Sequence, residues 1–435
     1  MKRAIIFSFI CVLALLSGCA RKAREITDRT LLPAGASLCG VNLSRVRMGS
    51  ATAAIEQKLG EPQITLLLPG NSVHFRGSEL GLRYDVRSAL TALCQGEPCD
   101  GVALAADRTL LEARLSRFAE GYRTPPTNAS VEINRLASEP FSYTDAVAGT
   151  AVDLPLLIQK ILCATAAGDA GSIVVEVPLR TLEPEVTLAD IQKYRQPIAS
   201  YSTSFAKSPL NAKNRVHNLK KAAAAIHGTV LAPGEEFNCN AVLGDRNKEN
   251  GWLEAAAIRN GSYVDEYGGG VCQVSSTLFN AVLMADLAVT ERKPHSWPMG
   301  YIGIGRDATI STGGKNFRFV NSTEHEIVIG ASVDEQTHTL TCTLYGMPPA
   351  DGHTIRIVSE QTGSLEDVPE EYVLDESLPY NTRVIEREAR RGKTSRTFKE
   401  YYDASGALIE RIVAFEDVYR SIPARVSVST DIYYS

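Results

Sequence analysis

Gly268-Gly269-Gly270-Val271-Cys272-Gln273 sets three glycines and a cysteine directly before a run in which Val274, Leu278, Ala281, Val282 and Ala285 recur at helical spacing. The glycines permit a tight turn with positive φ, and the run behind them folds as an amphipathic helix with one apolar face for a core. Cys272 therefore falls at the first turn of that helix. There, unsatisfied N–H groups and the helix dipole favour a thiolate and can hold an oxyanion.

A chain of 435 residues exceeds one ordinary core, so roughly two to four domains are expected. The apolar content of 44% is enough for folded domains. The net charge is only −5 and the charges are mixed rather than blocked, so no nucleic-acid partner is expected. At the N-terminus, Lys2 and Arg3 precede an apolar run over residues 4–16 that is short for a membrane span. Leu16-Ser17-Gly18-Cys19 closes it. This resembles the lipobox of bacterial lipoproteins, which implies a signal peptide over residues 1–19, lipidation of Cys19 and an extracytoplasmic protein held to the lipid bilayer by two acyl chains. The alternative is an uncleaved anchor with an incidental cysteine.

Of nine cysteines, removing Cys11 and Cys19 leaves seven: Cys39, Cys94, Cys99, Cys163, Cys239, Cys272 and Cys342. Outside the cytoplasm some can pair, and the odd number leaves at least one thiol free or joined between chains. Cys94 and Cys99 are close enough to close a small loop, and the setting of Cys272 makes it the expected free thiol. No cysteine pair has CxxC spacing and no His/Cys cluster has zinc-ligand spacing, so no metal and no cofactor are expected.

Residues 20–36 read as a charged tether and residues 37–195 as an α+β region of one or two units, the second beginning near Pro125. Helices are expected over residues 50–59, through Ala89, Leu90 and Leu93, over residues 110–118, and through Leu154, Leu157, Ile158 and Ile161. Strands are expected at residues 64–68, buried and ended by Pro69-Gly70, and at 129–133, 141–143 and 173–179. The order of Gly149-Thr150-Ala151-Val152-Asp153, a helix, and a strand with a proline near its end resembles the peptidoglycan-binding region that precedes the VanW domain in many cell-wall proteins. A generic α+β spacer is the alternative. Residues 353–434 alternate polar and apolar residues in four stretches, with a hairpin turn at Asp403-Ala404-Ser405-Gly406. This is similar to a degenerate five-glycine β domain. Pro379 and Tyr380 stand where that family tends to place glycine, and Gly392 and Gly406 remain.

The central residues 199–346 carry several motifs in one order. A helix through Val216, Leu219, Ala223 and Ile226 is flanked by Arg215 and Asn218. Pro233-Gly234-Glu235-Glu236-Phe237, the Gly-Gly-Gly-Val-Cys-Gln loop, Pro294-His295-Ser296-Trp297 and Gly305-Arg306-Asp307-Ala308 follow. This combination resembles the VanW family and implies a bacterial cell-envelope protein associated by name with glycopeptide resistance. Cys272 at a helix start, His295 after a strand through residues 287–290, and Asp307 after another through 301–304 also resemble the transglutaminase-like cysteine fold. The expected architecture is thus α+β and multidomain: a transglutaminase-like core between N-terminal α+β units and a C-terminal β-rich domain.

In that chemistry Cys272 attacks an amide carbonyl, His295 is the base and Asp307 orients it. Gln273, Arg215, Asn218 and Gly270 are candidate oxyanion or substrate contacts. The structural alternatives are a disulfide from Cys272 to Cys239 or Cys342, a surface-turn His295, and an Asp307 that shapes a turn. Two functional readings follow. One is a cysteine acyltransferase or amidase on peptidoglycan stem peptides or their precursors. The other is a non-catalytic scaffold that binds the wall polymer.

Overall fold

A computed structural model describes residues 25–137, 139–166, 172–206, 212–259 and 262–434. The export segment, Cys19 and the first part of the tether lie outside the described residues. The protein is α+β throughout and divides into two compact units. One holds the described residues up to Thr127 together with Ala148–Glu183, and the other holds Asn128–Val147 with the described residues from Pro184 onward.

In the first unit the strand Gln63–Leu68 turns at Pro69-Gly70 into Asn71–Arg76, and Ser172–Glu176 pairs with it in parallel on its other edge. The turn rests on Gly70 at φ +74. Ile64 and Leu66 are buried while Leu67 is exposed, and Ile173 and Val175 are buried while Val174 is exposed. The strand expected to be wholly buried is therefore half-buried, one face packing on the helices Arg108–Gly121 and Leu154–Ala166 through Leu111, Leu115, Leu157 and Ile161. The strand expected over 173–179 ends at Glu176, because Pro178 has no N–H to give the ladder. A separate strand, Leu179–Leu182, pairs with Gly149–Val152 instead. Asp85, Asp107 and Asp153 each accept a backbone N–H at a helix start, from Ser88, Leu110 and Leu156. Cys94 and Cys99 are free thiols, and Cys99 Sγ donates to the Gly101 carbonyl at 3.1 Å.

The second unit is built on a four-stranded antiparallel sheet in the order Gln196–Ser204, Thr339–Gly346, Ile327–Asp334, Thr229–Leu231. The helices Ala212–Ile226 and Val271–Met284 pack on it. A smaller sheet orders Glu236–Asn238, Arg318–Val320 and Ala288–Glu291, and a hairpin joins Glu254–Arg259 to Ser262–Tyr267. Toward the C-terminus, Thr354–Ser364, Lys393–Tyr402 and Leu408–Tyr419 form an antiparallel sheet whose Ile355, Ile357 and Phe415 join the core of the larger domain. Its hairpin turns at Gly406, φ +85, with the Asp403 carboxylate accepting from the N–H groups of Ser405 and Ala407. A further sheet pairs Arg425–Val428 with Glu371–Leu374 and Arg383–Arg387.

The helix Val271–Met284 departs from the amphipathic expectation. Gln273, Ser275, Ser276, Thr277 and Asn280 on its polar side are buried along with the apolar face. Each is paired: Thr277 Oγ1 with Thr203 Oγ1 at 2.8 Å, Ser275 Oγ with the Ala308 carbonyl at 2.6 Å, and Asn280 Nδ2 with the Arg306 carbonyl at 2.8 Å. Buried polar groups are tolerated when so satisfied. The strand expected through 301–304 is not formed; those residues run as turns and irregular chain. Side chains of the helix bond the backbone of residues 306–308 that follow, in place of a neighbouring strand.

Leu157 is fully buried among the first unit's core residues. Leu157→Ala removes buried volume there, and denaturant unfolding is expected to show a loss of about 2–5 kcal/mol. An unchanged midpoint would contradict that packing.

Candidate functional site

The hairpin ending at Tyr267 delivers the chain into the glycine loop. Gly268 and Gly270 sit at φ +81 and +103, where other residues are strained. Space excludes side chains as well: a Cβ on Gly269 would lie 2.1 Å from the Ala255 carbonyl oxygen, and one on Gly268 would lie 2.7 Å from Arg246 Cγ. Gly270 passes beneath Arg215, with a Cβ there 3.0 Å from its Cγ. The buried Asn218 holds the loop from below. Its Nδ2 donates to the carbonyls of Leu253 (2.8 Å) and Gly269 (3.1 Å), and its Oδ1 accepts from Leu253 N–H. Gln273 Oε1 accepts from Arg215 at 2.9 Å, and its Nε2 donates to Thr203 Oγ1 and the Ser204 carbonyl. The amides of Asn218 and Gln273 are thus engaged with the loop and its surroundings.

Cys272 is the second residue of the helix and one of its few side chains not fully buried. Its thiol is free, as are those of the buried Cys239 and Cys342. The Ile310 N–H donates to Sγ at 3.5 Å, the Ile310 carbonyl lies at 3.4 Å and Thr309 Oγ1 at 3.7 Å. At the helix start the N–H groups of Val271 and Gln273 turn back to the carbonyls of Gly268 and Gly270. Those two N–H groups are thus taken up within the loop. Tyr301 is a further candidate oxyanion donor: its hydroxyl is buried, makes no well-formed hydrogen bond, has Ser276 as a polar neighbour and feels the Cys272 charge.

His295 follows the strand Ala288–Glu291 and turns its ring to Asp307. Asp307 Oδ2 accepts from both the backbone N–H and Nδ1 of His295, each at 2.6 Å. With Nδ1 so occupied, Nε2 is the ring nitrogen left to face the Cys272 thiol, whose pKa His295 lowers. The other Asp307 oxygen accepts from the Tyr419 hydroxyl at 2.5 Å and lies 3.4 Å from Arg292 Nη2. Arg292 in turn grips Asp417 with contacts of 2.5 and 2.7 Å and donates to the Asp307 carbonyl at 2.6 Å. Tyr419 and Asp417 belong to the C-terminal sheet, so that sheet supports the acid of the constellation.

The charges follow from these contacts. Burial alone would raise the Cys272 pKa, but the hydrogen bond and charge of His295, with Ile310 and Thr309, bring it down to about 7. Burial would lower the His295 pKa, but Asp307 and Cys272 raise it to about 9. Asp307 is pulled down to about 2 against its burial, by His295 first and then Tyr419. Between about 7 and 9 the pair is therefore thiolate and imidazolium. Cys239 is pushed the other way, to about 12, by burial. Among the described residues no group of three His, Cys, Asp or Glu side chains is arranged to hold a metal.

Cys272, His295 and Asp307 thus lie together, with Arg215, Asn218, Gln273 and Gly270 building the loop beneath them. Sequence reasoning missed Tyr301, Arg292, Asp417 and Tyr419. Tyr419 lies 112 positions from Asp307, and no local pattern marks such a partner. Because His295 lowers the Cys272 pKa, His295→Ala should move the thiolate absorbance titration upward from about 7 into or above the ordinary thiol range. The signal is read as a difference from Cys272→Ser, and an unmoved midpoint would contradict the pairing.

Residues 214–345 match the family model described as VanW like protein. The chain is 41% identical over 164 residues to the uncharacterized protein YoaR of Bacillus subtilis, covering 37% of this chain and 52% of that protein. It is 30% identical over 129 residues to the vancomycin B-type resistance protein VanW of Enterococcus faecalis, covering 28% of this chain and 47% of that one. The chain spans about half the length of these curated relatives. Among solved structures, a crystal structure of HP0197-G5 aligns with a TM-score of 0.12 at 17% identity, covering 17% of this chain and 95% of that one. The G5 domain structure of an IgA1 protease aligns at 0.14 and 15% identity, covering 18% and 89%. Scores of that size support no assignment of fold. The central residues 214–345 are thus similar to the VanW family.

Proposed function

We propose that the central domain is a cysteine acyltransferase or amidase that works at the bacterial cell wall on peptidoglycan stem peptides. The observation that carries this reading is the 2.6 Å bond from His295 Nδ1 to Asp307, beside a Cys272 thiol at a helix start whose pKa His295 lowers. The Cys272 thiolate adds to an amide carbonyl, and the Tyr301 hydroxyl donates to the oxygen as it gains charge. His295 gives its Nε2 proton to the leaving amine as the C–N bond breaks, leaving a thioester on Cys272. Water or a second amine then attacks the thioester carbonyl while His295 accepts its proton, and the thiolate departs. Asp307 stays ionised, keeping the imidazole oriented and stabilising its cation. The wall as location rests on the relative named for vancomycin resistance and on the lipobox-like Cys19, which would tether the protein outside the cytoplasm.

A second reading, a scaffold that binds the wall polymer, has its own support. Phe141, Tyr143 and Tyr345 with Arg195 and Glu139 line a hollow of about 420 Å³, a volume that accepts a small polymer fragment between ring faces and polar groups. The two readings part in a deletion strain complemented with wild type or Cys272→Ala. The acyl-transfer reading expects the altered stem-peptide composition to persist with Cys272→Ala. Full restoration by that variant would sink catalysis and leave the scaffold.

A further inference from the structure

Two arginine side chains frame the loop that ends in Cys272. Arg246 lies over Gly268 and Arg215 over Gly270, each so close that a side chain on the glycine would strike it. Arg246 Nη1 donates to neutral acceptors, Asn240 Oδ1 at 2.8 Å and the Gly244 carbonyl at 3.2 Å. Its Nη2 is buried and has no hydrogen-bond partner. Its backbone N–H donates to Thr312 Oγ1, on the segment whose Ile310 N–H bonds the Cys272 sulfur. A half-buried guanidinium with an idle donor is costly to keep, and burial works against its charge. The cost is offset when an anion occupies that donor, since a guanidinium grips a carboxylate through its planar fork. The N-terminal end of the helix adds attraction of the same sign.

We propose that Arg246, flanked by Arg215, binds a carboxylate adjacent to the carbonyl that Cys272 attacks. The acyl donor is then a peptide whose cleaved or exchanged amide bond lies beside a free C-terminal carboxylate. This rests on the reading of Cys272 as a nucleophile. It assigns the arginine a specificity role, separate from the proton transfers of His295.

The test alkylates the purified chain at pH 7.5 with iodoacetate, which carries a carboxylate, or iodoacetamide, which does not. The Cys272 peptide is followed by mass spectrometry with Cys272→Ser as background. His295 itself favours iodoacetate, so the readout is the change in the iodoacetate to iodoacetamide rate ratio. Arg246→Gln should lower that ratio about tenfold, the loss expected for one charge-assisted contact, and Arg246→Lys should restore part of it. An arm independent of folding in the variants uses wild type alone: N-acetylglycine should protect Cys272 from iodoacetamide and N-acetylglycinamide should not. An unchanged ratio together with equal protection by acid and amide would overturn the carboxylate subsite. Failure of both reagents to modify Cys272 above background would instead overturn the nucleophile beneath it.

Discussion

The carboxylate of Asp307 is the point on which the site turns. One oxygen takes two bonds from His295 and the other takes the Tyr419 hydroxyl with Arg292 nearby. Asp307 is almost wholly buried, so an unpaired charge there would be strongly destabilising, and these donors are what make it tolerable. The same bonds fix the imidazole, and the imidazole makes Cys272 acidic. Structure and chemistry therefore share one set of contacts. The C-terminal sheet takes part through Tyr419 and Asp417, and the Arg292 guanidinium between them also lies over the rings of Phe279 and Phe415.

The helix Val271–Met284 supplies the second constraint. Its apolar side joins the core, while Ser275, Ser276 and Asn280 bind the backbone of residues 306–308. One helix thus carries the sulfur at its start and anchors the segment bearing Asp307 along its side. The glycine loop sets where the helix begins, because Gly269 must pass against Ala255 and Gly268 and Gly270 must pass beneath arginines. A side chain at Gly269 would strike the Ala255 backbone, so the loop could not keep this path into the helix.

Much of this was legible from local pattern. Period and caps marked the helices, as at Asp153 before Leu154–Ala166, and the glycine run marked a helix start with a thiol. Cys272, His295 and Asp307 stood out because their residue types and chain order suit one chemistry, and they lie together. What stayed hidden depends on distant partners. Residues 301–304 have the composition of a strand but no neighbouring strand to pair with, so they run as turns. Tyr301 and Tyr419 acquire meaning only once the chain folds back on itself. The polar side of the helix looked solvated because nothing in its own sequence says that residues 306–308 will cover it.

If Cys272 is the proposed nucleophile, it forms an acyl intermediate. Intact-protein mass spectrometry after rapid acid quench of the chain mixed with wall stem peptides ending in a free carboxylate detects that species. A transient mass increase equal to the acyl fragment is expected, located on the Cys272 peptide and absent from Cys272→Ser. Turnover of the peptide with no adduct at Cys272, or equal turnover by Cys272→Ser, would contradict it.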